Sequence, residues 1–298
     1  HQPRIIVQLY KQINDMSTTF NLNRFILLTK WETLTEKKDY IRCTVGVAIA
    51  LTFLFCINIL SLKMHGFNSQ SLADREYIFD HLMHSLGGMA VMTLFFSLTL
   101  GASFIFMNMR NKQQRIAYLM QPSSNLEKYL ARYLHVTIGY FLCLCVSLIF
   151  ADIMQYLFSL AILEGGFAKS VIAWLFSPED NNFNVNGIEF PMIYLYVGFI
   201  TMCIHVNSFW VFCGTLYRRN AWLFTLCTQF VLGFLLIFIN INVFDYMSLI
   251  FSNMTEYNYH YFFWTGVILS WALSALLYWG SYKLFCRMQV INNKWLNI

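Results

Sequence analysis

The sequence predicts an all-α membrane protein in which six helices cross a bilayer. Of its 298 residues, 58% are hydrophobic and only 12% are charged, and the mean hydropathy is +0.52. A soluble domain has about 25% charged residues, so this chain has too few ionised side chains to cover a water-exposed fold. The same composition excludes disordered and collagen-like chains.

Long stretches without Asp, Glu, Lys or Arg predict the spans. A helix needs about 20 residues to cross a hydrocarbon core of roughly 30 Å. We therefore expect six spans, within residues 43–62, 81–109, 133–151, 190–217, 220–244 and 257–282. The transmembrane domain is expected over 43–285, between an N-terminal segment, 1–42, and a tail, 286–298.

The basic residues predict the orientation. With both termini on one side, 17 of the 20 Lys and Arg residues lie on that side. Because positively charged loops stay in the cytoplasm, we expect cytoplasmic termini in a bacterial inner (plasma) membrane. The basic face is expected to contact anionic lipid headgroups. No pattern of interleaved aromatic and basic residues indicates nucleic acid.

An amphipathic helix is expected before the first span. In the stretch 20–42, Leu27, Trp31 and Leu34 recur at i, i+4 and i+7. Such a helix would lie in the membrane interface and lead into the first span. A surface helix without any further function is the alternative.

The loop between spans two and three predicts a helix-turn-helix on the cytoplasmic side. Residues 113–120 can form two helical turns, which Pro122 would end. Ser124 and Glu127 have the spacing of a capping box, which starts a second helix. The apolar side chains open to a partner would be Ile116, Leu119 and Met120. A plain capped loop is the alternative.

On this loop and the stretch 20–32, the chain resembles the membrane subunits of ATP-binding-cassette (ABC) exporters of the type-2 permease family. In that family an interfacial helix precedes six spans, and the loop between spans two and three forms a coupling helix that docks in a groove of the ATPase subunit. The matching residues are Arg115, Leu119, Pro122, Ser123, Ser124, Leu126, Glu127 and Lys128. The long segment 164–189 and the short segment 245–259 depart from the family plan.

The resemblance implies a permease subunit that exports an amphipathic or lipid-like substrate. Its partners would be two ATPase subunits, which bind ATP and Mg, and a second copy of itself or a related permease. No Gly in the chain is followed by Lys, so the phosphate-binding loop of an ATPase is absent. H-E-x-x-H and G-x-S-x-G are absent too. We expect no catalytic, cofactor or metal site in this chain.

An ion-coupled carrier or channel is the alternative function. It would need ionisable or polar groups near mid-membrane, and candidates for such a path are His205, Asn207, Ser208 and Gln229. A His hydrogen-bonded to a neighbouring helix is the other interpretation of His205. Asp152 is expected near the outer end of span three. A membrane scaffold or sensor without transport is a third class.

A row of small residues predicts close helix packing in the sixth span. Gly266, Ser270 and Ser274 recur every four residues, which lets another helix approach. The approaching helix would belong to this chain or to a second subunit.

Overall fold

A computed structural model describes residues 20–106, 109, 112–175, 182–185, 188–217, 220–235 and 256–288. These residues are predominantly helical, with one antiparallel hairpin between the strands β1 (Asn182–Val185) and β2 (Ile188–Pro191). The all-α prediction is confirmed apart from this hairpin, which begins in the long segment 164–189 and ends at Pro191.

The helices are numbered in chain order. They are α1 Leu22–Thr35, α2 Lys37–Met64, α3 Leu72–Ser103, α4 Lys112–Leu119, α5 Asn125–Leu134, α6 Tyr140–Ile162, α7 Val171–Leu175, α8 Met192–Leu216, α9 Ala221–Leu235 and α10 Glu256–Cys286. A single π turn, His135–Gly139, joins α5 to α6. A 3₁₀ turn, Phe67–Ser69, lies between α2 and α3.

Within the described ranges, five helical runs are long and apolar enough to cross a membrane: α2, α3, the run from α5 through α6, α8 and α10. The chain is therefore an integral membrane protein. Five of the six predicted spans are confirmed. The helix α9 covers only the first part of the fifth, and residues 236–244 of that stretch lie outside the described residues.

The second span begins earlier than its charge-free stretch suggested. The helix α3 starts at Leu72, where Ser71 Oγ accepts a hydrogen bond from the Asp74 N–H. Charged side chains in its first turns are tolerated because a span can continue beyond the hydrocarbon core into water. The absence of charge therefore predicts the membrane-embedded part of a helix, and the cap determines where the helix begins.

The chain forms two compact units, one of them made from residues 33–98 and 137–181. In this unit α2 and α6 run parallel, since Tyr40 packs on Tyr140 with ring centroids 5.2 Å apart, and Ser147 Oγ donates to the Thr44 carbonyl at 2.8 Å. In the predicted topology spans one and three cross the membrane in the same direction. The parallel packing of α2 and α6, which belong to these two spans, agrees with that topology. The core of the unit includes Leu51, Phe55, Ile59, Phe79, Met83, Leu86 and Ala151.

Asp152 fastens the segment after α6 to the same unit. Its carboxylate accepts hydrogen bonds from Ser170 Oγ at 2.6 Å and from the Val171 N–H at 2.7 Å, at the start of α7. The Asp152 side chain is buried. The helix α6 continues to Ile162, ten residues beyond Asp152, so Asp152 does not lie at the end of the helix as expected. Its partners come from the following loop.

The other unit contains the described residues that fall within 1–32, 99–136 and 182–298. Its core includes Ile105, Phe106, Tyr118, Tyr129, Trp210, Val211 and Phe285. The helix α8 passes close to the end of α3: a Cβ at Gly214 would lie 2.8 Å from the Ser103 carbonyl oxygen. Only glycine fits at that position without displacing backbone.

Candidate functional site

The predicted helix-turn-helix is present, and we call residues 112–134 the elbow. The helix α4 ends at Leu119, before Pro122, and α5 starts after Ser124. Ser124 Oγ accepts from the Glu127 N–H at 3.2 Å, and Glu127 Oε2 accepts from the Ser124 N–H at 2.9 Å. The predicted capping box is confirmed.

The second oxygen of Glu127 binds the start of the interfacial helix. Glu127 Oε1 accepts from the Asn21 N–H at 2.6 Å and from Arg24 Nη2 at 3.0 Å. Asn21 directly precedes α1, so this single carboxylate lies at the N-terminal ends of both α1 and α5. Free N–H groups at a helix N-terminus stabilise a negative charge. Glu127 is 0% exposed, and its hydrogen bonds offset the desolvation of its charge.

A second contact joins the two halves of the elbow to α1. The Tyr118 hydroxyl on α4 lies 2.8 Å from both Glu32 Oε1 on α1 and the Lys128 carbonyl oxygen on α5. Lys128 Nζ in turn donates to the Leu119 carbonyl at 2.8 Å. Hydrogen bonds from buried side chains thus link α1, α4 and α5, and they give the elbow a fixed shape.

The predicted coupling residues fall into three groups by their exposure. Arg115, Ser124, Glu127 and Lys128 are buried within the chain, so in this structure they set the shape of the elbow and do not form its surface. Ile116 and Leu119 are half-buried. Exposed at the turn are Met120, Pro122 and Leu126, and we call these three residues the elbow tip.

The interfacial helix has one buried face and one exposed apolar face. Leu28 and Glu32 are buried, whereas Leu27, Trp31 and Leu34 are 67%, 48% and 63% exposed. The helix itself is confirmed. A helix that lies at a lipid interface needs an exposed apolar face, and α1 has one opposite the face that binds the elbow. The position of α1 in the membrane stays a prediction.

Two tyrosines of α5 connect the elbow to spans four and six. Tyr129 donates to Ser281 Oγ at 3.1 Å, and Ser281 shares a hydrogen bond with Thr215 Oγ1 at 2.8 Å. These residues belong to α5, α10 and α8 respectively. The Tyr129 ring also packs edge-on against Tyr282.

The second chain of hydrogen bonds runs one turn further along α5. The hydroxyls of Tyr133 and Tyr278 lie 3.2 Å apart, and Tyr278 donates to Asn207 Oδ1 at 2.9 Å. We call the two chains the tyrosine relays. Sequence reasoning missed them, although two tyrosines spaced i, i+4 behind a capping box indicate a polar face on the helix.

Three of the four candidate path residues, His205, Asn207 and Gln229, make helix–helix contacts. His205 Nδ1 lies 3.2 Å from Ser274 Oγ, and Gln229 Oε1 accepts from Trp210 Nε1 at 3.0 Å. Ser208 Oγ donates within its own helix, to the His205 carbonyl. This geometry fits the interpretation of His205 as a residue bonded to a neighbouring helix, and a translocation path along α8 stays a prediction.

The small residues of α10 do not share one environment. Ser274 is buried, Ser270 is half-buried and Gly266 is exposed. A Cβ at Gly266 would meet nothing within 4 Å. Ser274 therefore packs inside the chain, while Gly266 leaves an open notch on the surface of α10.

Across the parts of the chain that the structure describes, no three His, Cys, Asp or Glu side chains are grouped to hold a metal ion. In comparisons with known proteins, no family model, no curated protein and no solved structure matches the chain.

Proposed function

We propose that the chain is the membrane-spanning permease subunit of an ABC exporter, whose energy comes from a separate ATPase. The observation that carries this proposal is the elbow: a rigid helix-turn-helix bound to the interfacial helix through Glu127, with an exposed apolar tip. A polytopic membrane protein without an ATPase motif needs such a contact surface if its transport depends on ATP.

The rigidity of the elbow supports a mechanical function. A surface that receives a push must not deform before it passes the displacement on. The Glu127 carboxylate accepts from Asn21, Arg24 and Ser124, and a hydrogen bond to a charged group contributes about 1.5–3 kcal/mol. The elbow therefore resists bending at its base.

The tip supplies the surface for the partner. Met120 is 76% exposed and Leu126 is 39% exposed, with Pro122 between them. Apolar side chains that protrude from a rigid support are suited to fill a groove of a partner protein, and a few such anchors provide most of the energy of an interface. The distribution of Lys and Arg favours a cytoplasmic position for the tip.

The remaining parts of the proposal follow from the ABC permease assembly. Two ATPase subunits hold ATP and Mg, and a second copy of this chain or a related permease completes the membrane part. The substrate is amphipathic or lipid-like, and the membrane is the bacterial inner membrane. ATP drives transport only if the two nucleotide states of the ATPase make different contacts with the elbow.

Co-purification of the ATPase tests the proposal. The double variant Met120→Asp with Leu126→Asp places two charges on the tip, and we expect it to lose the bound ATPase and the ATP turnover of the complex. Met64→Asp is the matched control, because Met64 is 78% exposed and lies at the far end of α2. An ATPase that stays bound to the tip variant with unchanged turnover would overturn the assignment.

A further inference from the structure

One face of α6 is polar although it is buried in the unit formed by residues 33–98 and 137–181. Its polar members are Ser147, Asp152, Gln155 and Ser159, and none is more than 7% exposed. Ser147 donates to the carbonyls of Thr44 and Cys143. Both carboxylate oxygens of Asp152 accept from the start of α7. These two residues have their partners within the chain.

Gln155 and Ser159 differ from the other two. Within the described ranges, Gln155 Oε1, Gln155 Nε2 and Ser159 Oγ have no hydrogen-bond partner, and both residues are 0% exposed. The two side chains are four residues apart and so lie on the same face of the helix. Three unsatisfied polar atoms therefore belong to one face of α6.

Apolar residues of the neighbouring helix α2 lie near the same depth. Because α2 and α6 run parallel with Thr44 beside Ser147, Gln155 lies near the depth of Leu51 and Phe55, which are 3% and 0% exposed. Inside a membrane protein an unsatisfied amide is costly, since neither lipid nor a hydrocarbon core offers it a hydrogen bond. A buried polar group in a span is therefore expected to bind something.

We propose that Gln155 and Ser159 form a binding site for an uncharged group that both donates and accepts hydrogen bonds. The amide offers an oxygen that accepts and an NH₂ group that donates through two hydrogens, and the hydroxyl can act as either donor or acceptor. Asp152, the charged side chain on this face, directs its oxygens to the Ser170 hydroxyl and the Val171 N–H, and Gln155 and Ser159 themselves carry no charge that could balance an ion.

Two molecules share this chemistry. A water molecule is the smaller, and it typically makes two to four hydrogen bonds to buried polar groups; the site offers three polar atoms. The hydroxyl of a lipid-like molecule is the other. The inference depends on one unit of the chain alone and does not require the proposed exporter function.

Thermal unfolding of the purified full-length chain tests the site. Gln155→Met keeps the length of the side chain and removes both polar atoms, while Ser159→Ala removes the third. If a ligand is bound, each single variant lowers the unfolding midpoint by roughly 2–4 °C. The midpoint of the double variant is then only slightly lower than that of either single variant, because one substitution already removes the ligand. Ser147→Ala is the control, and its effect adds to that of Gln155→Met.

The opposite pattern would overturn the proposal. If the three atoms bind nothing, replacing the amide by an apolar side chain leaves the midpoint unchanged or raises it, and the effects of Gln155→Met and Ser159→Ala add. If Gln155→Met fails to fold, the unfolding midpoint of Ser159→Ala tests the site. A lowered midpoint supports a bound ligand, and an unchanged or raised midpoint contradicts it.

Native mass spectrometry distinguishes the two ligands. A lipid mass that is retained by the wild type and lost from Gln155→Met identifies a lipid hydroxyl. A lowered midpoint without any retained mass identifies water. Either result supports the site, and a lipid retained equally by Gln155→Met and wild type binds elsewhere and counts against the lipid hydroxyl as the ligand.

Discussion

Glu127 and Asn21 are 106 residues apart in the sequence, yet Glu127 Oε1 accepts a hydrogen bond from the Asn21 N–H at 2.6 Å. The same carboxylate closes the capping box with Ser124. One buried negative charge therefore stabilises the N-terminal ends of the interfacial helix and of the helix that leads into the third span.

Glu127→Gln is expected to loosen the elbow. The amide keeps the shape of the side chain but removes the charge that faces two helix N-termini and the part-exposed Arg24, at a cost of about 1.5–3 kcal/mol. Hydrogen exchange of peptides covering residues 112–134 should become faster. Asp39→Asn is the control, because its pair with Arg42 is exposed and such pairs contribute about 0–1 kcal/mol. Equal exchange in Glu127→Gln and wild type would mean that the carboxylate does not hold the elbow.

Tyr118→Phe is expected to destabilise the contact between α1 and the elbow by about 1–3 kcal/mol, because it removes a buried hydroxyl that lies beside Glu32 and the Lys128 carbonyl. Chemical unfolding of the purified chain measures the loss. Tyr77→Phe provides the comparison, since Tyr77 is 73% exposed and should tolerate the change. Similar midpoints for the two variants would argue against the buried contact.

The tyrosine relays predict selective energetic coupling. Tyr129→Phe and Ser281→Ala disrupt the same hydrogen bond, so their effects on stability should be non-additive by about 0.5–3 kcal/mol. Tyr129→Phe and Asn207→Ala affect different relays and should be closer to additive. Double-mutant cycles on unfolding free energies supply the comparison, and equal coupling in both cycles would contradict two separate relays.

Two glycines should respond oppositely to alanine. In Gly214→Ala the new Cβ would lie 2.8 Å from the Ser103 carbonyl oxygen, so we expect a loss of about 1–3 kcal/mol. In Gly266→Ala the Cβ meets nothing within 4 Å, and the better helix propensity of alanine should leave stability unchanged or raise it by up to about 1 kcal/mol. Unfolding midpoints test the pair. A large loss in Gly266→Ala would indicate that a second subunit packs into the notch.

Local features of the sequence predicted much of this fold. The charge-free stretches predicted six spans, and the described residues confirm five of them, because lipid excludes ionised side chains over a fixed thickness. The Pro122 turn and the Ser124 capping box were predictable because both act within a few residues of the chain.

Contacts between distant segments were not predictable in the same way. The sequence marks Glu127 as a capping residue, but its burial depends on Asn21 and Arg24, which the fold brings to it. Likewise, the sequence shows Asp152 as an isolated charge in an apolar stretch. Only the fold shows that the Ser170 hydroxyl donates a hydrogen bond to its carboxylate. The spacing of residues along the sequence does not indicate which distant residues will form hydrogen bonds with each other.

The candidate site was predicted as a segment rather than as a surface. The sequence predicted Met120, Pro122 and Leu126 together with Arg115 and Lys128, and the structure separates the exposed tip from the buried base. The tyrosine relays depend on which faces of α5, α8 and α10 meet, and that information lies in the packing of three distant helices.

Photocrosslinking from the elbow tip tests the central claim most directly. A photoreactive amino acid replaces Met120 in cells of the source organism, and the same replacement at Met64 is the control. We predict an adduct from position 120 that contains an ATPase with a phosphate-binding loop, and no such adduct from position 64. An adduct from position 64 alone, or from neither position although the protein reaches the membrane, would contradict the account.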